Sequence, residues 1–173
     1  MTRHSIVALL ALFATLPTGV SGQTVNFSGT WVLDSDLSTI VPGSGLARIG
    51  DGGSPKRLHI THSRTGDVTL LSEVNESQAR TYKIRADSLI PVSQDVDMIV
   101  TSRWDNSRFI AEGQQRGADI SSVRRVLILS PDGTVLTLKA STTIASRETT
   151  SILVYTKTTT VPACSEWSTP CLR

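Results

Sequence analysis

The chain is poor in the residues that carry most site chemistry. It holds two cysteines, three histidines and two methionines in 173 residues. His4 lies at the extreme start, which leaves His59 and His62. They stand three apart in a stretch that reads as a strand, where successive side chains alternate faces. They point to opposite sides and cannot share a metal, so no metal site is expected. Aromatic residues make up 5% of the chain. Charge of one sign is lacking too: 17 Lys and Arg face 15 Asp and Glu. No basic cluster exceeds Arg124-Arg125, so nothing favours a nucleic-acid partner. Nucleophile and phosphate motifs are missing. Pro42-Gly43-Ser44-Gly45 is not a Gly-x-Ser-x-Gly elbow, and no glycine loop precedes a helix. Asp95 and Asp97 share one strand face as a carboxylate pair, a pattern that also marks a solvated strand end. No residue set asks for an enzyme or a cofactor.

What is present begins with a leader. Arg3 and His4 precede an apolar run, Ile6 to Leu16, too short to span a bilayer. Pro17 and Gly19 break it, and Val20-Ser21-Gly22 offers small residues for a peptidase. The pattern predicts a signal peptide over 1–22, a mature chain from Gln23, and a secreted protein, periplasmic or extracellular. No later apolar stretch is long enough to span a membrane. In an oxidising compartment Cys164 and Cys171 are expected to pair, stabilising by less than the ~3 kcal/mol of a 15-residue loop. The competing Cys-x6-Cys metal site lacks nearby histidines. Residues 23–161 then form one β domain, and 162–173 a tail.

Thr, Ser, Val, Ile and Leu dominate the mature chain in short alternating runs between turn residues. The pattern predicts strands near 26–34, 56–63, 67–74, 79–85, 96–104, 108–115, 122–130, 134–141 and 148–157. Ser130-Pro131-Asp132-Gly133 is the clearest turn, with Pro at the first central position and Gly at the left-handed one. Pairing Ser130 with Thr134 sets Ile128 against Leu136 and Val126 against Leu138, and puts Arg125 on the other face. The glycine-rich loop 35–55 is long enough to be a lid or disordered. Eight to nine antiparallel strands hide their edges most economically by closing into an up-and-down barrel, with a two-sheet sandwich as the alternative.

Four stretches carry a resemblance. Asn26-Phe27-Ser28-Gly29-Thr30-Trp31 opens the domain. Arg103-Trp104-Asp105-Asn106-Ser107-Arg108-Phe109-Ile110 lies in its middle. Leu129 to Thr137 and Val154-Tyr155-Thr156-Lys157 follow. Their order and spacing resemble lipocalin-like, calycin-type small secreted bacterial proteins of mostly uncharacterised function. The resemblance implies a barrel in which Gly29 and Trp31 plug one end and a basic side chain caps the indole. Lys157 is the candidate cap, and a cation over an indole gains ~0.5–2 kcal/mol. The chain lacks the Thr-Asp-Tyr type motif of classical lipocalins, and its cap is Lys where they carry Arg.

Strand parity points Leu33, Tyr82, Met98, Val100, Trp104 and Phe109 inward. They would line a cavity for a small apolar or amphipathic ligand, or fill a small barrel solidly. The first reading is a carrier. The second is a solid-core envelope or extracellular interaction protein, its protein partner not specified by the sequence.

Overall fold

The computed structural model describes residues 25–42, 54–72, 79–93, 96–115 and 121–159. The leader, most of the glycine-rich loop, Asp95 and the tail with Cys164 and Cys171 lie outside the described residues. Ten strands follow in order: β1 (Gly29–Thr39), β2 (Arg57–His62), β3 (Val68–Ser72), β4 (Arg80–Tyr82), β5 (Ser88–Ser93), β6 (Val96–Asp105), β7 (Arg108–Gln115), β8 (Ser121–Leu129), β9 (Val135–Ile144) and β10 (Arg147–Thr158). All pair antiparallel in one sheet, ordered β4-β3-β2-β1-β10-β9-β8-β7-β6-β5. The sheet curls until its edge strands, β4 and β5, come into contact. The result is a nearly closed all-β barrel rather than a sandwich.

Two elements differ from the sequence pattern. The strand count is ten, because Ser88–Ser93 forms a strand despite Pro91. Proline cannot donate to a ladder, but β5 is a sheet edge, where proline is tolerated. β1 also runs on to Thr39, with its register broken between Asp34 and Thr39. Asp34 Oδ1 accepts the N–H groups of Asp36 and Leu37 inside that irregularity.

The β4–β5 seam is held differently from the rest of the wall. The Lys83 N–H donates to Ser88 Oγ at 2.8 Å, and the Ile84 N–H to Asp67 Oδ1 at 2.9 Å. The first bond closes the β4–β5 turn, and the second ties that turn to the β2–β3 turn.

The β8–β9 turn is one residue longer than the pairing Ser130 with Thr134 requires. The Ser130 N–H donates to the Val135 carbonyl at 2.8 Å, and Gly133 closes the turn onto Ser130 at φ +74. The Asp132 carboxylate accepts from Ser130 Oγ and from the Thr134 N–H and hydroxyl. These bonds pull its pKa down to about 2, the Ser130 bond most strongly. Leu129 therefore faces Leu136, Leu127 faces Leu138 and Arg125 faces Ala140. A slip of one residue exchanges the faces of a strand. It turns Arg125 into the barrel and Val126 and Ile128 out of it.

Candidate functional site

The inner wall reads as rungs across neighbouring strands. One runs Trp104, Phe109, Leu127, Leu138 and Leu153 over β6 to β10. Trp104 is half-buried and the other four are buried. Burying each such side chain is worth ~1.5–3 kcal/mol, so this rung anchors the barrel. The next rung runs Ser102, Ala111, Arg125, Ala140 and Ser151. Here Arg125 stands in register between two alanines, with a serine beyond each. A third rung holds Val100, Gly113, Val123 and Thr142.

Arg125 is 3% exposed. Its Nη1 donates to Tyr82 Oη on β4, with the guanidinium carbon 5.7 Å from the Tyr82 ring centre. Arg80 is two residues before Tyr82 on the same strand and is also buried. The described core thus holds two guanidinium groups and no Asp or Glu. Ser72, Ser88, Ser102, Thr142 and Ser151 add buried hydroxyls. The Oγ of Ser102 and the Oγ1 of Thr142 make no hydrogen bond. The Tyr155 phenol donates to the Pro55 carbonyl.

The residues singled out from the sequence lie as follows. Tyr82, Met98, Val100 and Phe109 are buried in the core cluster, and Leu33 and Trp104 pack against it half-buried. Trp31, Tyr82, Phe109, Leu127 and Met98 are among the large side chains that are essentially inaccessible. These side chains pack together in one core cluster.

At one end Trp31 is fully buried, and its Nε1 donates to the Phe27 carbonyl at 2.9 Å. Lys157 Nζ lies 5.3 Å from the Trp31 ring centre. Gly29, at φ +144, faces the Lys157 stem. Phe27 stacks on Trp104, with centroids 5.5 Å apart and planes 10° apart. His62 packs against both rings. His59 faces outward, its Nδ1 3.0 Å from Thr30 Oγ1. Burial lowers the pKa of both histidines. Among the described residues no three His, Cys, Asp or Glu side chains gather as a metal site would need.

An open groove of about 780 Å³ lies on the outer face of β6 to β10, lined by Ile99, Thr101, Glu112, Gln114, Arg124 and Glu148 among others. Glu112 there bridges Arg103 at 2.6 Å and Arg124 at 2.7 Å. These ion pairs are half-exposed, and such pairs contribute ~0–1 kcal/mol.

Sequence reasoning missed Arg80, Arg125, Ser102 and Thr142. Arg80 had a signal: with Tyr82 turned inward, the residue two before it must turn inward as well. Ser102 stands two from Trp104 in the same way. Arg125 had none, because its face depends on the length of the Ser130 turn.

No protein-family model and no curated protein matches the sequence. Solved structures do match its shape. Apo lipid binding protein 8 of Caenorhabditis elegans is 14% identical with a TM-score of 0.51, over 76% of this chain and 95% of that one. Zebrafish ileal bile acid-binding protein, complexed with cholic acid, is 13% identical with a TM-score of 0.51, over 76% of this chain and 98% of that one. At these identities the likeness is one of fold, a calycin-type barrel.

Proposed function

We propose that the chain binds a small amphipathic molecule inside the barrel, its acidic group at Arg125 and its apolar body along the leucine and aromatic rung. The observation that carries this reading is the buried guanidinium of Arg125, a residue in register between Ala111 and Ala140. Burying an ion costs several kcal/mol, and an apolar side chain of similar volume usually serves stability as well or better. A charge kept in such a place argues for a task beyond the core. Only alanines flank Arg125 across the ladder, and Ser102 Oγ and Thr142 Oγ1 offer further donors. The zebrafish barrel of the same fold holds cholic acid, a carboxylic acid. We place this activity outside the cytoplasm, on the leader pattern of residues 1–22.

The test is binding of a dansyl-labelled long-chain carboxylate and of its methyl ester. The acid should bind at least about tenfold tighter, a difference of ~1.4 kcal/mol. Arg125→Met should abolish that preference while the fold persists.

A second reading has one observation in its favour, the near-complete burial of Trp31, Tyr82, Met98, Phe109 and Leu127. The barrel would then be solid and would act through its surface as an interaction protein. Native mass spectrometry and solvent extraction that recover no lipophile, together with absence of probe binding, would favour it.

A further inference from the structure

Residues 25–28 cross one end of the barrel and are held there by His62. The Phe27 N–H donates to His62 Nε2 at 3.3 Å, and the His62 N–H donates to Ser28 Oγ at 3.2 Å. The imidazole meets Phe27 edge-on at 5.5 Å and 67°, and Trp104 at 5.5 Å and 57°. Phe27 in turn supplies the carbonyl that accepts the Trp31 indole N–H. Trp104 is fixed independently, its Nε1 donating to the Gly66 carbonyl at 3.1 Å. The histidine therefore links the segment before β1 to Trp104 of β6.

We propose that His62 makes this plug acid-releasable: protonation at Nε2 replaces the acceptor of the Phe27 N–H with a second donor. Two N–H groups then face each other, and the segment must move away. The ring is neutral in the closed arrangement, since Nε2 can accept only without a proton. Its burial favours that neutral form. The Phe27 and Trp104 ring centres lie 5.5 Å from the imidazole, near enough to attract the new charge only weakly.

The surrounding charges do not offset it. The segment 25–28 carries none. On the β2–β3 turn, the Asp67 carboxylate is bonded to Thr65 Oγ1 and the Ile84 N–H, and Arg64 adds positive charge. At the β6–β7 turn Asp105 is already paired with Arg108. Lys157, over Trp31, adds a cation at the same end. Along the rung from His62 through Val68 lies Tyr82, bonded to the cation Arg125.

The inference does not rest on ligand binding, and its test uses no ligand. Exchange of the Trp31 indole proton, corrected for the intrinsic pH dependence, reports release of the Phe27 carbonyl. The His62 ring protons report its titration in the same NMR samples. The expected result is a rise in corrected exchange of about tenfold or more between pH 7 and pH 5, with the midpoint of the His62 titration. His62→Gln keeps an acceptor but cannot titrate, so its exchange should stay flat. His59→Gln should keep the wild-type rise. Flat exchange in the wild type down to pH 4.5, or a midpoint that differs from that of His62, overturns the proposal. So does a rise that survives His62→Gln. The wild-type comparison decides the matter even if the variant does not fold.

Discussion

Arg125 on β8 is hydrogen-bonded to Tyr82 on β4 through the interior of the barrel. The bond joins the edge strand β4 to a strand that is not its sheet neighbour. Hydrogen bonds to charged groups contribute ~1.5–3 kcal/mol, and removing one partner leaves the other desolvated. Tyr82→Phe should therefore lower unfolding free energy by about 2 kcal/mol in urea titrations. Arg125→Met breaks the same bond from the other side, leaves the buried Tyr82 hydroxyl without this donor, and should cost a similar amount. The double variant leaves neither partner unsatisfied and should cost less than the sum of the two single changes.

Gly29 and Lys157 are coupled at the plugged end. A Cβ at position 29 would come within 2.7 Å of Lys157 Cε, and φ there is +144. The lysine stem can swing aside, but only by leaving the Trp31 ring. Gly29→Ala should cost about 1–3 kcal/mol, from backbone strain together with the lost cation–π contact. In a Lys157→Ala background only the backbone part remains, so the two losses should be less than additive. A double-mutant cycle by chemical denaturation measures the difference.

How far the sequence disclosed this molecule depended on the range of the cause. Local chemistry was legible: the place of the Ser130–Gly133 turn, and the alternation that turns Tyr82, Met98 and Phe109 inward. β5 was hidden because Pro91 speaks against a strand, and only its place at a sheet edge makes it harmless. The buried Arg125 was hidden because one added turn residue inverts every face of β8. The side-chain bonds that fix the β4–β5 turn, from Lys83 N–H to Ser88 and from Ile84 N–H to Asp67, were hidden because no periodicity announces them.

The β9–β10 hairpin carries removable strain. Its two turn residues, Ala145 and Ser146, sit at φ +48 and +65 between the paired Ile144 and Arg147. Positive φ at both positions is the geometry for which Asn-Gly is favoured, and an ordinary L-residue there costs roughly 1–2 kcal/mol. Ala145→Asn combined with Ser146→Gly should raise unfolding free energy by about 1–2 kcal/mol. The Ser146→Gly change also loosens the unfolded chain, which holds the gain at the lower part of that range. The urea midpoint should rise with its slope unchanged.

Acid should destabilise the fold in two separate windows. His59 and His62 have folded pKa values below their ordinary 6.5, through burial. The unfolded chain then binds protons first, so their contribution is complete above pH 6.5 and is lost as pH falls from there through the folded values. Asp132 and Glu112 act lower. Hydrogen bonds from Ser130 and Thr134 hold Asp132 at about 2 against an ordinary 3.8, and bonds chiefly from Arg103, then Arg124, lower Glu112. Their contribution is present above the unfolded values near 4 and disappears as pH falls through the folded ones. Urea unfolding across pH 8 to pH 2.5 should show a plateau above pH 7, a first decline below pH 6.5 and a second below pH 4.5. Replacing both histidines by Gln should flatten the first decline and leave the second, while Asp132→Asn should reduce only the second.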